Sequence, residues 1–370
     1  MNNSFYYPVA INDRNDIDDI PNFDICYITQ SGLCNQLRRL INEVINGFNQ
    51  NKFIFVIDSF LYCIQKGKLC NASNIFDYDE MARKMSDILE KEIIFVDRIN
   101  AFTKILSVKY GLKSLKVIDI TNNFKINDIK LSLSVDPLPN VKKYIYIKYI
   151  VGGHILNETY DENDIDANFD ENYIKNIFMN KKFANLDTNH HNTELFNKLL
   201  TCISFNPKVM NIIDKISNTY IQSDIDCCIH LRIEDDAINH WSKINNLDQE
   251  SFKNKLHEKY KCLINKYFYG NILVLCNDTN KISEFFINKQ YHCIPQNLKE
   301  ELSNIHLGLI GREINALIDL LTAIRNHCLF IGNYNNILSR GSTFSHVIMQ
   351  YNKKNICIDL DNIESYEVIT

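Results

Sequence analysis

Residues 24–58 read DICYITQSGLCNQLRRLINEVINGFNQNKFIFVID, and three periodicities follow one another within them. Residues 24–29 (DICYIT) form a short apolar run of strand type. Residues 30–34 make a loop around Gly32. From Asn35 the apolar spacing turns helical, with Leu37, Leu40, Ile41, Val44, Ile45 and Phe48 on one face, and residues 52–58 (KFIFVID) return to a buried strand. Strand, helix and strand in so short a stretch predict a βαβ unit, hence a parallel sheet covered by helices.

The same alternation resumes after about residue 205. Val209, Ile212, Ile213, Ile216 and Tyr220 mark a helix, and residues 226–231 (DCCIHL) a strand. Residues 252–264 read as helix, 271–276 (NILVLC) as strand and 281–287 as helix. Residues 313–326 read as helix, 328–331 (CLFI) as strand, a helix starts at Thr343, and residues 355–360 make a last strand. Between the two series, residues 93–96 and 144–149 have strand character, 172–180 and 193–202 helical character, and the acidic stretch 161–170 is a solvated loop. Residues 1–22 lack an apolar period and read as a loose tail. The expected organisation is therefore α/β, with one domain over 23–210 and a second over 211–370.

Composition narrows the function classes. With 370 residues, 45% hydrophobic, 21 Phe and 19 Tyr, the chain can bury a large core and is not a disordered protein. A net charge of −5 argues against nucleic acid or an anionic membrane as a partner held by bulk charge. No stretch reaches the ~20 apolar residues of a membrane span. The acidic start lacks a secretory leader pattern, so a cytoplasmic location is expected. The 12 Cys are scattered without a CxxC pair, which points to reduced, mostly buried thiols and to no metal centre.

In open α/β sheets, ligands bind beyond the carboxyl ends of the strands, and three such places carry polar residues. Ser31-Gly32-Leu33-Cys34-Asn35-Gln36-Leu37-Arg38 follows the first strand. Gly32 allows close backbone approach and Asn35 offers donors, but an ordinary turn with Asn35 as helix cap has the same spacing. His230-Leu231-Arg232-Ile233-Glu234-Asp235-Asp236 leaves the strand DCCIHL. His230 and Arg232 point the same way, and Arg232 suits a phosphate. Glu234, Asp235 and Asp236 are positioned to take a proton, or equally to brace Arg232. Gly341-Ser342-Thr343-Phe344-Ser345 opens a helix. Ser342 caps it, and the amides of Thr343 and Phe344 suit an anion, though a plain capped helix reads alike. An Arg and an anion-binding helix start in one half make a diphosphate site plausible. Trp241 either lines the cleft or packs, His190 and His191 lie in a polar loop, and Asp278 caps a helix or belongs to a site.

Taken in order, these segments resemble the GDP-fucose-dependent fucosyltransferase superfamily, in particular its protein O-fucosyltransferase-like branch. SGLCNQLR (31–38) is similar to the family's first glycine turn, and HLRIEDD (230–236) to its H-[LVI]-R motif followed by acids. Ile233 stands where the α1,2 and α1,6 enzymes have a second Arg. Asp319-Leu320-Leu321, residues 327–332 (HCLFIG) and Ser342-Thr343-Phe344-Ser345 resemble the late helix, strand and S-[ST]-F-[ST] block, and Asn74-Ile75-Phe76-Asp77 an F-x-x-x-F-D region. The resemblance implies a GT-B architecture of two Rossmann-like domains facing across a cleft. It also implies an inverting, metal-independent transfer of fucose from GDP-fucose to a hydroxyl of a protein Ser/Thr or a glycan. Other nucleotide-sugar donors, or a non-catalytic binder of the same fold, are the alternatives. Under this resemblance Arg232 neutralises the diphosphate, Ser342, Thr343 and Phe344 hold the β-phosphate, and Asp319 reads guanine. His230 lies near the ribose or diphosphate, Asn35 reaches toward the sugar and Gly32 lets the backbone come close to the donor. For the base, Glu234, Asp235 and Asp236 are candidates by position alone, and the same carboxylates could brace Arg232 or cap the next helix.

Overall fold

Strand β1 (Phe23–Cys26), helix α1 (Leu33–Asn49) and strand β2 (Ile54–Ile57) realise the expected βαβ unit, with β1 and β2 parallel in register Phe23↔Ile54. The computed structural model describes residues 23–26, 32–57, 60–63, 68–97, 102–112, 116–119, 142–151, 154–161, 193–276, 279–326, 328–335, 340–352 and 354–369. The tail 1–22, the expected helix 172–180, the acidic loop beyond 161, His190, His191 and Asp278 lie outside them. Helix α1 starts at Leu33, earlier than the apolar period indicates, because Gly32 rather than Asn35 occupies its N-cap. A hairpin of β3 (Phe60–Cys63) and β4 (Lys68–Cys70) follows. Helix α2 (Tyr78–Leu89), absent from the sequence reading, is capped by the Asp77 carboxylate accepting from the Glu80 amide and buries Met81, Met85 and Leu89. Strand β5 (Ile94–Asp97) then pairs parallel with β2, giving the order β1-β2-β5.

Next comes an antiparallel sheet of β6 (Phe102–Leu112), β7 (Lys116–Asp119), β8 (Tyr144–Val151) and β9 (His154–Asp161), ordered β7-β6-β8-β9. Of these strands only the 144–149 stretch is legible in the sequence. The sheet falls in one compact unit, and residues 23–101 with 179–370 fall in the other. By strand pairing, the three-stranded sheet and the C-terminal sheet are separate. By contacts, both belong to the same unit.

Helix α3 (Glu194–Leu200) and helix α4 (Pro207–Lys215), which runs into a π-helical turn at Ile216–Ile221, lead to that second sheet. Its strands are β10 (Cys227–His230), β11 (Ile272–Leu275), β12 (Tyr291–His292), β13 (Leu329–Gly332), β16 (Asn355–Ile358) and β17 (Tyr366–Ile369). The order is β12-β11-β10-β13-β16-β17, all parallel save the last pair. A small ribbon of β14 (Tyr334–Asn335) and β15 (Arg340–Gly341) lies between β13 and the last helix.

The connecting helices are α5 (Asp235–Ile244), α6 (Gln249–Tyr267), α7 (Gln296–Leu307), α8 (Arg312–Arg325) and α9 (Thr343–Tyr351). The expected helix at 281–287 is instead a 3-10 segment, Thr279–Glu284. Helix α7 is a further element absent from the sequence reading.

Why the strands read as unbroken apolar runs is visible in their burial. Cys228, Leu273, Leu275, Phe330 and Cys357 join a core that includes α1, α3 and α4. Cys227, Ile229, Ile272, Val274, Ile331, Ile356 and Ile358 join a second core under α5 and α6. Both faces are dry, so each strand needs apolar side chains on both sides. Ten cysteines among the described residues are free thiols, most of them buried. Burial pushes Cys70 up to about 12 and raises Cys34 and Cys228 well above the ordinary thiol value, so they stay protonated. Among the described residues no helix is long and apolar enough to cross a membrane.

Candidate functional site

The parallel strands β10 and β11 end together, and their last residues open into a cavity of about 740 Å³. Helices α1, α5, α7, α8 and α9 all border it with residues of their first turns. Amides at helix starts lack intrahelical acceptors and carry positive partial charge, so each start can receive an anion. The same wall carries the cations Arg232, Lys299 and Arg312 and the carboxylates of Glu234, Asp236, Glu300, Glu313 and Asp319. Gly32, Asn35, His230, Arg232, Glu234, Asp236, Asp319, Ser342, Thr343 and Phe344, all singled out from the sequence, lie on this wall. Trp241 also borders it while packing in the second core, so both readings of that residue hold. Asp235 does not border it.

Arg232 leaves β10 on the same side as His230, as strand alternation requires. Its Nη1 lies 2.9 Å from Glu234 Oε2 and its Nη2 2.8 Å from Asp236 Oδ2, with a quarter of the side chain exposed. Both acids therefore brace the guanidinium in this state, and the cation still faces the cavity. The two carboxylates differ in access: Glu234 is 18% exposed and Asp236 72%.

Behind Arg232 sits a buried polar network that sequence spacing does not reveal. Tyr260, from α6, accepts from the Arg232 amide at 3.1 Å and from Asn333 Nδ2 at 2.9 Å, and donates to the His230 carbonyl at 3.1 Å. Both lone pairs and the single proton of that hydroxyl are thereby used. Ser345 Oγ accepts from the Asn333 amide at 3.2 Å and donates to Asn333 Oδ1 at 3.2 Å. His230 Nδ1 lies 2.8 Å from Ser345 Oγ and 3.5 Å from Ser342 Oγ. Burial, helped by the Arg232 charge, pushes the His230 pKa down to about 3, so the ring is neutral near pH 7. Phe344 packs on this ring at 5.0 Å.

At the other glycine turn, Ser342 caps α9 by accepting from the Ser345 amide at 3.4 Å. Gly341 has φ +111°, where a side chain is strained, and a Cβ there would lie 2.5 Å from the Asn333 carbonyl oxygen. Gly32 has an ordinary φ of −57° and nothing within 4 Å of where a Cβ would stand. Asn35 lies in the first turn of α1 and is not its cap.

Several groups on the wall escaped the sequence reading. Lys299, from α7, donates to Asp319 Oδ2 at 2.6 Å. Burial raises the Asp319 pKa, and Lys299 opposes that rise. Glu313 and Asn315, in the first turns of α8, are buried at the same wall, and burial raises the Glu313 pKa. The signal available for them is helical spacing: Gln296, Lys299 and Glu300 share one face, as do Asn315, Ala316 and Asp319.

No family model matches the chain, and no curated protein matches it. Among solved structures, the chain is similar to fucosyltransferase NodZ from Bradyrhizobium at 11% identity, covering 95% of this chain and 99% of that one, with a TM-score of 0.47. It is similar to NodZ alpha-1,6-fucosyltransferase soaked with GDP-fucose at 13% identity, covering 94% and 98%, with a TM-score of 0.46. It is also similar to POFUT1 in complex with GDP-fucose at 12% identity, covering 90% and 95%, with a TM-score of 0.46. These structural neighbours are fucosyltransferases.

Proposed function

We propose that the chain is a glycosyltransferase of GT-B type that moves fucose from GDP-fucose to a hydroxyl acceptor, inverting the anomeric centre and using no metal. The observation that carries this reading is the convergence of the strand-end Arg232 and the capped start of α9 on one cavity, about 740 Å³ in volume, within the size range of small-ligand sites. The choice of fucose rests on the sequence resemblance of residues 31–38, 230–236 and 342–345.

In such a transfer the acceptor oxygen bonds to the sugar's anomeric carbon while that carbon's bond to the β-phosphate oxygen breaks. The acceptor's proton passes to a carboxylate, and nucleoside diphosphate departs. Charge develops on the diphosphate, which Arg232 and the amides of Thr343 and Phe344 are placed to meet. Ser342, whose oxygen accepts the capping bond, keeps its own proton for the phosphate. His230, neutral at its buried position, suits a hydroxyl of the donor. When the guanidinium turns to the diphosphate, its bond to Asp236 loosens and frees the more exposed carboxylate to serve as base.

Isothermal titration with GDP tests the site. The reading predicts saturable binding that weakens about 100-fold or more in Arg232→Ala, a charge-assisted contact being worth ~3 kcal/mol. A folded protein indifferent to every nucleoside diphosphate would overturn it. A second reading, a nucleotide-sugar binder without turnover, is favoured by the engagement of both candidate bases with Arg232. Bound GDP-fucose that is neither hydrolysed nor transferred to protein or glycan acceptors would select it.

A further inference from the structure

Arg38 and Arg39 are neighbours on α1 and differ in kind. Arg39 pairs with Glu43 one turn on, at 2.5 Å, and keeps 17% of its side chain exposed. Arg38 is 4% exposed, and among the described residues no carboxylate pairs with it. Its guanidinium lies over the rings of Phe196 and Tyr334, 5.9 and 5.7 Å from their centroids, with Nη2 3.4 Å from the Tyr334 hydroxyl. Its Nε has no hydrogen-bond acceptor among the described residues. Ring faces and one long hydrogen bond offset only part of the hydration that a buried cation gives up. An apolar side chain would fill the same place at least as well, so packing alone does not account for a charge there.

The cation sits behind the cavity wall rather than on it. Side chains of a helix lean toward its N-terminus, and the N-terminal turn of α1 is the one that borders the cavity. Cys34, one turn before Arg38 on the same face, is part of the wall. Burial raises the Cys34 pKa and the Arg38 charge opposes the rise, which puts the guanidinium within electrostatic reach of that wall. On its other side, Tyr334 pairs with Gly341 in the β14–β15 ribbon, directly before Ser342 and the start of α9. The wall residues contributed by these two helix starts include no carboxylate; Glu234, Asp236, Glu300, Glu313 and Asp319 belong to α5, α7 and α8 and their caps. A buried charge acts through an effective dielectric of about 20 rather than 80, and salt screens it little.

We propose that Arg38 is a positioning residue that acts through its field, an uncompensated charge behind the starts of α1 and α9 that draws the diphosphate of a nucleotide sugar to that side of the cavity. The inference rests on the nucleotide-sugar reading of the cavity. It adds to Arg232 a second cation, one that favours the bound anion without touching it.

Titration of the full chain and of Arg38→Met with GDP and with guanosine tests it. Met keeps an apolar stem between the two rings and removes the charge. The variant is expected to unfold at the same temperature as the unaltered chain or a higher one. It should bind GDP about tenfold more weakly and guanosine within about twofold of the unaltered chain. Arg38→Lys, which restores a charge, should bring GDP back to within about threefold. Unchanged GDP affinity in folded Arg38→Met overturns the inference and leaves the nucleotide site standing. An equal loss for GDP and guanosine does the same, since it marks a misshapen site rather than a lost field, and so does Arg38→Lys binding GDP as weakly as Arg38→Met. Arg38→Gln, neutral and polar, is the second probe of the uncharged state: if neither neutral variant folds, the residue is a packing element and the inference falls. An unaltered chain that does not bind GDP overturns the nucleotide-sugar reading itself, and the role of Arg38 with it.

Discussion

The two glycine turns at the cavity look alike in sequence and are built on opposite principles. At Gly32 the backbone is ordinary, the helix start has no side-chain cap, and the space a Cβ would take is open. At Gly341 the backbone is left-handed, a Cβ would strike the Asn333 carbonyl, and Ser342 caps the helix beside a closed network reaching His230. The first turn keeps room; the second keeps a conformation. A glycine before a helix therefore carries two unrelated meanings, and only the surrounding atoms distinguish them.

The contrast can be broken most forcefully at Gly341. Gly341→Ala meets both φ strain and a backbone clash, so urea unfolding should show a loss of about 3 kcal/mol or more. A second test uses acid. The folded His230 value of about 3 lies below the ordinary 6.5, so between those values the unfolded chain binds more protons. The stability gained by keeping the ring neutral is complete above pH 6.5 and is lost as pH falls toward 3, by up to about 1.4 kcal/mol per pH unit. Melts between pH 7 and pH 5 should lose about 2 kcal/mol through this group, and His230→Asn should flatten that slope.

Smaller effects sharpen the comparison. Ser342→Ala removes the cap and should cost about 1 kcal/mol in the same unfolding assay. Gly32→Ala should change stability by less than about 0.5 kcal/mol while weakening GDP binding a few-fold, because the methyl takes cavity space. If Gly32→Ala destabilises as much as Gly341→Ala, the distinction between the two turns is wrong.

How much was legible in the sequence follows the same division between local and distant causes. Strands β10, β11 and β13 were readable because burial on both faces demands continuous apolar runs. The β6–β9 sheet was mostly missed because β6 and β9 mix polar with apolar positions and present no such run. Helix α2 was missed although Asp77 caps it, and α7 because its cavity face carries Gln296, Lys299 and Glu300 where an apolar stripe was sought. At the site, Arg232, His230 and Ser342 stood out as polar residues directly after strands. Tyr260 did not, since it continues the apolar helix face of Phe252 and Leu256 and reads as core until its hydroxyl is followed to Arg232, His230 and Asn333.

The sequence by itself determined the alternation of strands and helices, the dryness of both sheet faces, and the polar residues at the strand ends, because each is a property of near neighbours along the chain. Tertiary structure alone decided that Arg232 is held by both Glu234 and Asp236, that His230 is buried and neutral, and that Lys299 meets Asp319. Proton positions, ion pairing and desolvation depend on distances between groups that are remote in sequence or free to rotate, and only the folded chain fixes those distances.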